Sequence, residues 1–156
     1  MAEYYLSTIW RIKAPRQEVW DVLYHPDGWP DWWKNVLQVA ELVKGDELGI
    51  GALHRYTWKG ALPYRITFDI HIVNIIPLQL LEGHASGEVE GRGQWLLVDD
   101  GTYTLARYIW HVRTNTLWMN WLAPLAAPLF RWNHRRVMYE GAKGLAHKLG
   151  TSVEIG

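Results

Sequence analysis

The sequence predicts an α+β fold in which a curved antiparallel sheet of about seven strands wraps around one long C-terminal helix. Between residues 36 and 114, apolar and polar residues mostly alternate with period two, which is typical of strands with one buried face. Short turn signals separate these runs, and short connections favour antiparallel neighbours. After residue 116 the alternation stops and good helix formers dominate, so we expect the final helix to cover the concave face of the sheet.

The N-terminal region predicts one strand followed by a short helical insertion. Residues 4–12 alternate, which indicates a strand, and Pro15 suits the first turn of a helix over 15–24. Residues 25–36 are dense in proline, glycine and aspartate, so we expect turns and one or two short helical pieces there. Six further strands are predicted at 36–44, 51–59, 64–75, 78–86, 88–98 and 102–114.

Residues 118–149 predict the long helix. Pro124 and Pro128 limit regular helix in its first part, and we expect a kink or break near Pro128. Gly150 suits a C-terminal stop. Three- and four-residue steps define the apolar face of this helix, which consists of Phe130, His134, Val137 or Met138, Gly141 and Leu145.

Length and composition exclude several classes of function. The 156 residues fit one domain, 1–156, and the absence of cysteine excludes disulfides, a thiol nucleophile and thiolate metal ligands. A chain without cysteine suits a reducing compartment, and we expect a cytoplasmic protein. Sixteen basic residues balance sixteen acidic ones, so no overall field attracts nucleic acid, and we expect no nucleic-acid partner. The N-terminus lacks the pattern of a signal peptide.

The aromatic composition is unusual and indicates partly wet surfaces. The chain has eleven tryptophans and eight tyrosines but only two phenylalanines. Tryptophan and tyrosine combine a large apolar body with a polar tip, which suits interfaces and ligand cavities. A tryptophan-rich core is the alternative interpretation.

Four segments carry a resemblance to a known family. They are IKAPRQEVWDVLYHPDGWPDWW (12–33), GEVEGRGQW (87–95), YIWHVRT (108–114) and LFRWNHRRVMYEGAKGLAHKLG (129–150), and together they span nearly the whole chain. In this order they resemble the SRPBCC superfamily of START-related helix-grip proteins, and within it the polyketide cyclase/dehydrase and lipid-transport branch. The resemblance implies a hydrophobic cavity between the sheet and the last helix. The resemblance does not predict a particular reaction, because members of the superfamily range from ligand carriers to cyclases.

No motif in the chain predicts a metal or a cofactor. The seven histidines form no His-x-x-x-His or HExxH pair, so we expect no metal site. There is no P-loop, no GxGxxG that opens a helix and no GxSxG elbow, so we also expect no cofactor. The Gly-Arg-Gly at 91–93 lies within a predicted strand, where glycine permits close approach of the backbone or a bulge.

The sequence assigns no catalytic residue, and His134 is the best candidate for one. It lies at the centre of the helix face between Phe130 and Met138, so it should point at the sheet. One interpretation is a buried histidine hydrogen-bonded to a strand. The other is a cavity residue that binds a ligand oxygen or exchanges a proton with it. Asn133 lies near the edge of the same face and could orient a carbonyl group.

Five aromatic residues of the predicted strands complete the candidate binding site. They alternate with polar residues, which indicates that they share the inward face. Core packing explains any one of them, but the polar tips of the whole set require partners inside, which favours a cavity that holds water or ligand. The set consists of Tyr56, Trp58, Trp95, Tyr108 and Trp110. Arg55, Arg65 and Arg92 should lie on the opposite, solvated face.

The segment 117–130 contains Trp118 and Trp121 and allows three interpretations. It has 14 residues, fewer than the roughly 20 that a membrane-spanning helix needs. It could cap the cavity as a lid, form a dimer contact or face a bilayer surface. Because the net charge is zero and no basic run is present, we favour the lid or the dimer contact over the membrane. We expect a monomer or a homodimer.

The leading functional hypothesis is a binding protein for a small apolar ligand, such as a lipid, a polyketide-like aromatic or an isoprenoid. The first alternative is an enzyme of the polyketide cyclase, aromatase or dehydratase type that uses a cavity histidine or tyrosine as acid or base. Catalysis would need at least two convergent polar groups, and His134 is the one that the pattern indicates. The second alternative is a tryptophan-rich module that docks on a protein or a membrane.

Overall fold

The computed structural model describes residues 3–114 and 123–156, without the side chains of 114 and 123–126. In chain order the elements are β1 (Glu3–Ile12), α1 (Arg16–Leu23), a 3₁₀ helix (Pro26–Asp31), β2 (Val36–Val43), β3 (Leu53–Lys59), β4 (Arg65–Ile76), β5 (Leu80–Gly87), β6 (Val89–Asp100), β7 (Tyr103–Thr114), α2 (Ala123–Leu149) and β8 (Val153–Ile155). The α+β class and the order of strand, helical insertion, strands and long helix are confirmed. No predicted strand end differs from the structure by more than two residues.

All strands form one antiparallel sheet in the order β2-β3-β4-β5-β6-β7-β1-β8. The described sheet has eight strands, one more than the approximate number predicted. The eighth strand, Val153–Ile155, pairs with β1 between Trp10 and Ile12. Its three residues are too few to show an alternation, so only the pairing with β1 defines it.

Helix α2 is continuous from Ala123 to Leu149, with Pro128 inside it, so the helix does not break near Pro128, and a kink there stays a prediction. Pro128 lies in the second turn of the described helix, where its missing N–H removes a single backbone hydrogen bond. The predicted stop at Gly150 is confirmed, because this residue has a positive φ of 64°. The N–H of Thr151 donates to Ala146 and that of Gly150 to His147, which is the Schellman arrangement.

The helix approaches the rest of the fold closely at two glycines. A Cβ atom on Gly141 would overlap the indole of Trp33, and one on Gly144 would overlap the carbonyl oxygen of Trp32. The Nε1–H of Trp33 donates to the carbonyl oxygen of Val137 at 3.0 Å. The segment after the 3₁₀ helix therefore lies directly against α2 and holds it at a fixed distance from the sheet.

A tryptophan-rich core fills one end of the space between sheet and helix. Trp33 is at its centre, with ring centroids 5.3 Å from Trp10 and 4.9 Å from Trp58. Leu145 and Met138 of α2 are almost fully buried against this core. The core accounts for six of the nine described tryptophans, which are Trp10, Trp20, Trp29, Trp32, Trp33 and Trp95. Part of the aromatic bias thus belongs to the core and part to the walls of a cavity.

No helix in residues 3–114 and 123–156 is long and apolar enough to cross a membrane. Trp118 and Trp121 lie outside the described residues. The choice between lid, dimer contact and membrane-facing segment for 117–130 therefore stays a prediction.

Candidate functional site

Two adjoining chambers lie against the concave face of the sheet, and helix α2 lines only one of them. The outer chamber has a volume of about 400 Å³ and opens between the end of α1 and the loop that joins β2 to β3. The inner chamber, of about 130 Å³, lies between the sheet and the first half of α2. Four aromatic side chains border both chambers, namely Trp58, Phe68, Tyr108 and Trp110.

The period of the strands determines which side chains reach these chambers. On β3, Tyr56 and Trp58 point inward, and Arg55 lies on the outer face, where its Nε is 2.8 Å from an Asp69 carboxylate oxygen. Arg92 lies 3.7 Å from Glu82, and its side chain is half exposed. The solvated arginines therefore leave the inner face to aromatic and aliphatic side chains.

Glycines on β6 allow the aromatic wall to lie close to the sheet. A Cβ atom on Gly93 would lie 2.9 Å from the indole ring of Trp110. Gly91 has a φ of 147°, which side chains rarely adopt, and a Cβ there would overlap the carbonyl oxygen of His111. The Gly-Arg-Gly segment thus permits close approach of the backbone and of a ring, as its position in a strand predicts.

The mouth of the outer chamber is fixed by local hydrogen bonds. One carboxylate oxygen of Asp46 accepts backbone N–H groups of Leu48, Gly49 and Ile50 at 2.9, 2.9 and 3.0 Å. The hydroxyl of Tyr24, directly after α1, donates to the carbonyl oxygen of Leu48. These hydrogen bonds stabilise the conformation of the loop between β2 and β3 and connect the loop to the end of α1.

Polar atoms without partners mark the inner chamber. The hydroxyl of Tyr4, the Nε1–H of Trp58 and the Nε2 of His134 are all enclosed, and none has a hydrogen-bond partner among the described residues. Leaving such an atom buried and unpaired costs about 1–3 kcal/mol. The chamber is therefore suited to a water molecule or a ligand group that can hydrogen-bond.

The titratable groups around the inner chamber are neutral at pH 7. Burial lowers the pKa of His134 from 6.5 to about 4, so its imidazole carries no charge. Burial also raises the pKa of Tyr64 to about 12 and that of Tyr108 well above the ordinary value of 10. The ring of His134 stacks on Tyr108 with a centroid distance of 6.2 Å and an angle of 12°. Such a site can donate and accept hydrogen bonds without burying a charge.

The structure brings all nine predicted binding residues to the two chambers. Tyr56 and Trp95 line the outer one, and Trp58, Tyr108 and Trp110 border both. Four residues of α2 line the inner chamber, and they are Phe130, Asn133, His134 and Met138. Whether these residues contact a ligand stays a prediction.

Asn133 has a structural partner that its sequence position does not reveal. Its carbonyl oxygen accepts the backbone N–H of Ala61 at 2.7 Å and that of Leu62 at 3.3 Å. The side chain thereby ties α2 to the loop between β3 and β4. The carbonyl oxygen is thus already engaged, and the role of Asn133 in orienting a ligand carbonyl, which would use the Nδ2–H groups, stays a prediction.

Sequence reasoning missed His54, which lines the outer chamber beside Tyr56. The side chain is buried, and its Nε2 lies 3.4 Å from a carboxylate oxygen of Glu41. The signal was available, because His54 continues the alternation of Tyr56 and Trp58 on β3. Glu41 gave no such signal, since its contact depends on the register between β2 and β3.

Comparison with known proteins identifies the fold. No protein-family model and no curated protein sequence matches the chain. Among solved structures, it is similar to the Zhui aromatase/cyclase from Streptomyces sp. R1128, with a TM-score of 0.72 and 14% identity over 94% of this chain and 93% of that one. A START superfamily protein from Mycobacterium smegmatis gives a TM-score of 0.75 and 12% identity over 92% and 95% of the two chains.

A third similar structure comes from a plant. The ginseng major latex-like protein 151 from Panax ginseng gives a TM-score of 0.62 and 11% identity, over 87% of this chain and 99% of that one. At these identities the likeness establishes the fold and leaves the ligand and the activity open. The chain has the SRPBCC-type helix-grip fold.

Proposed function

We propose that the protein binds a small hydrophobic ligand, such as a lipid, a polyketide-like aromatic or an isoprenoid, in the two chambers on the concave face of the sheet, of which the inner one lies between the sheet and α2. The observation that carries this proposal is the aromatic-walled outer chamber of about 400 Å³, which falls within the usual range of ligand sites. Apolar side chains form most of its wall, and Phe68, Ile70 and Ile72 of β4 contribute to it. The proposal further places the protein in the cytoplasm, as a monomer or a homodimer.

Burial of apolar surface supplies enough free energy for such binding. A ligand that buries about 300 Å² of apolar surface gains roughly 7 kcal/mol at 25 cal/mol per Å². Part of that gain offsets the loss of translational and rotational freedom. Hydrogen bonds to the enclosed polar atoms of the inner chamber would add affinity and fix the orientation of the ligand.

A polyketide cyclase or dehydratase is the second candidate, and the pair of His134 and Tyr108 favours it. A neutral imidazole accepts a proton, and a neutral phenol donates a hydrogen bond to a carbonyl oxygen. The two rings are stacked beside the inner chamber, so both could reach one ligand. One similar structure is that of an aromatase/cyclase. Turnover of a linear polyketide analogue that His134→Gln abolishes would support this candidate over simple binding.

Most of the described tryptophans are buried, whereas the third candidate, a docking module, needs exposed ones. Six of the nine are buried in the core, whereas Trp132 has 45% of its surface exposed. A docking surface would require the opposite distribution.

Calorimetric titration with a panel of lipids, isoprenoids and aromatic polyketides tests the proposal. Ile70→Trp adds a large side chain to the wall of the outer chamber, whereas Val98→Trp adds the same side chain at a position with 56% exposure. We expect a panel member to bind the wild type and Val98→Trp equally, and Ile70→Trp at least ten times more weakly. Equal binding by all three proteins would place the ligand outside the chamber and contradict the proposal.

A further inference from the structure

The outer chamber also contains an enclosed polar group, the imidazole of His54. His54 lies on the inward face of β3 with only 8% of its surface exposed, and its Nδ1 is enclosed and has no hydrogen-bond partner among the described residues. Glu41 lies directly opposite on β2, with a carboxylate oxygen 3.4 Å from the Nε2 of His54. Both residues line the chamber near its mouth.

The carboxylate favours one tautomer of His54. A carboxylate only accepts hydrogen bonds, so the Glu41 oxygen 3.4 Å from Nε2 favours the neutral imidazole that carries its proton on Nε2. In this tautomer the Nδ1 is a lone-pair acceptor. A buried acceptor without a donor costs about 1–3 kcal/mol, which a ligand donor would recover.

The charges of the outer chamber restrict what that donor can belong to. Among the described residues that line it, five carry a carboxylate and one, Lys44, an ammonium group. The carboxylate of Glu82 lies on the outer face of the sheet with Arg92, 3.7 Å away, and Gln94, and the other four carboxylates still outnumber the one ammonium group. An anionic ligand such as a fatty acid is repelled by this lining. A ligand with a neutral hydroxyl group is not repelled by these carboxylates.

We infer that His54, held by Glu41, is the recognition site for a hydroxyl group, so that the ligand is a neutral hydroxylated aromatic and not a carboxylate. The inference rests on the proposed function and specifies its ligand class. The phenolic O–H donates to Nδ1 while the ring lies beside Tyr56, whose own ring centroid is 6.3 Å from that of His54.

Calorimetric titration with three bicyclic probes tests the inference. They are 1-naphthol, which has a donor, 1-methoxynaphthalene, which has none, and 1-naphthoate, which is anionic. We expect the wild type to bind 1-naphthol about tenfold more tightly than 1-methoxynaphthalene, as one hydrogen bond implies, and to bind 1-naphthoate most weakly. In His54→Phe the first two should bind equally.

Two variants control this experiment. His84→Phe makes the same exchange at an exposed position of β5 and should keep the wild-type preference. Glu41→Gln should reduce the preference without removing His54, and it covers the case in which His54→Phe fails to fold. If both His54→Phe and Glu41→Gln keep the preference for 1-naphthol over 1-methoxynaphthalene, the inference is overturned and the proposed function is not. The same holds if the wild type binds 1-naphthoate as tightly as 1-naphthol. Failure of all three probes to bind the wild type, while a lipid or an isoprenoid binds it, would also overturn only the inference. The proposed function fails only if no member of the wider panel binds either.

Discussion

Lowering the pH from 7 to 5 should destabilise the protein through His134. The pKa of this imidazole is about 4 in the folded protein and 6.5 in the unfolded chain, so the unfolded chain binds the proton more tightly. Stability is therefore complete above pH 6.5 and is lost as the pH falls towards 4. These two values give a loss of about 2 kcal/mol between pH 7 and pH 5, and of about 3 kcal/mol below pH 4.

Urea unfolding of the wild type and of His134→Gln at both pH values measures this loss. Glutamine does not titrate, and the other six histidines contribute equally to both proteins and cancel. The tyrosines that line the inner chamber, Tyr4, Tyr64 and Tyr108, stay neutral over this range because their pKa values are raised. The loss for the wild type should exceed that for the variant by about 2 kcal/mol. If the two losses agree within about 0.5 kcal/mol, His134 is not enclosed in the chamber and the reasoning fails.

Two further predictions concern the contacts of α2. Gly144→Ala should lower the unfolding free energy by about 2 kcal/mol and the melting temperature by about 4–8 °C, because its Cβ would overlap the carbonyl oxygen of Trp32. The control variant Gly28→Ala has open space around the added Cβ and should change little. A Gly144→Ala protein as stable as the wild type would contradict the close approach of helix and backbone. Leu145→Ala should cost about 3 kcal/mol in urea unfolding because this side chain is fully buried, and Leu129→Ala, at 51% exposure, less than about 0.5 kcal/mol. Equal costs would show that the buried face of α2 is assigned incorrectly.

The strands and their faces could be predicted from the sequence because a strand repeats every two residues. That period alone places Tyr56, Trp58, Tyr108 and Trp110 on the inner wall. The helical period likewise places His134 between sheet and helix.

Features that depend on contacts between distant segments could not be predicted in this way. Asn133 binds the loop between β3 and β4, 71 and 72 residues away in the chain, and no local pattern records that partner. The pairing of His54 with Glu41 requires the register of two strands. The composition allowed either tryptophans at partly wet surfaces or a tryptophan-rich core. It could not decide between them, because the sequence does not show that Gly141 and Gly144 bring α2 against Trp33 and Trp32.

Native mass spectrometry of the protein purified from its own host tests the central claim most directly. We predict a complex whose mass exceeds that of the 156-residue chain by one small apolar molecule, which denaturation releases. The Ile70→Trp protein, prepared in the same way, should lack this molecule because its outer chamber is filled. The bare chain mass in both preparations, with no lipid, isoprenoid or aromatic polyketide that raises the melting temperature of the wild type, would contradict the account.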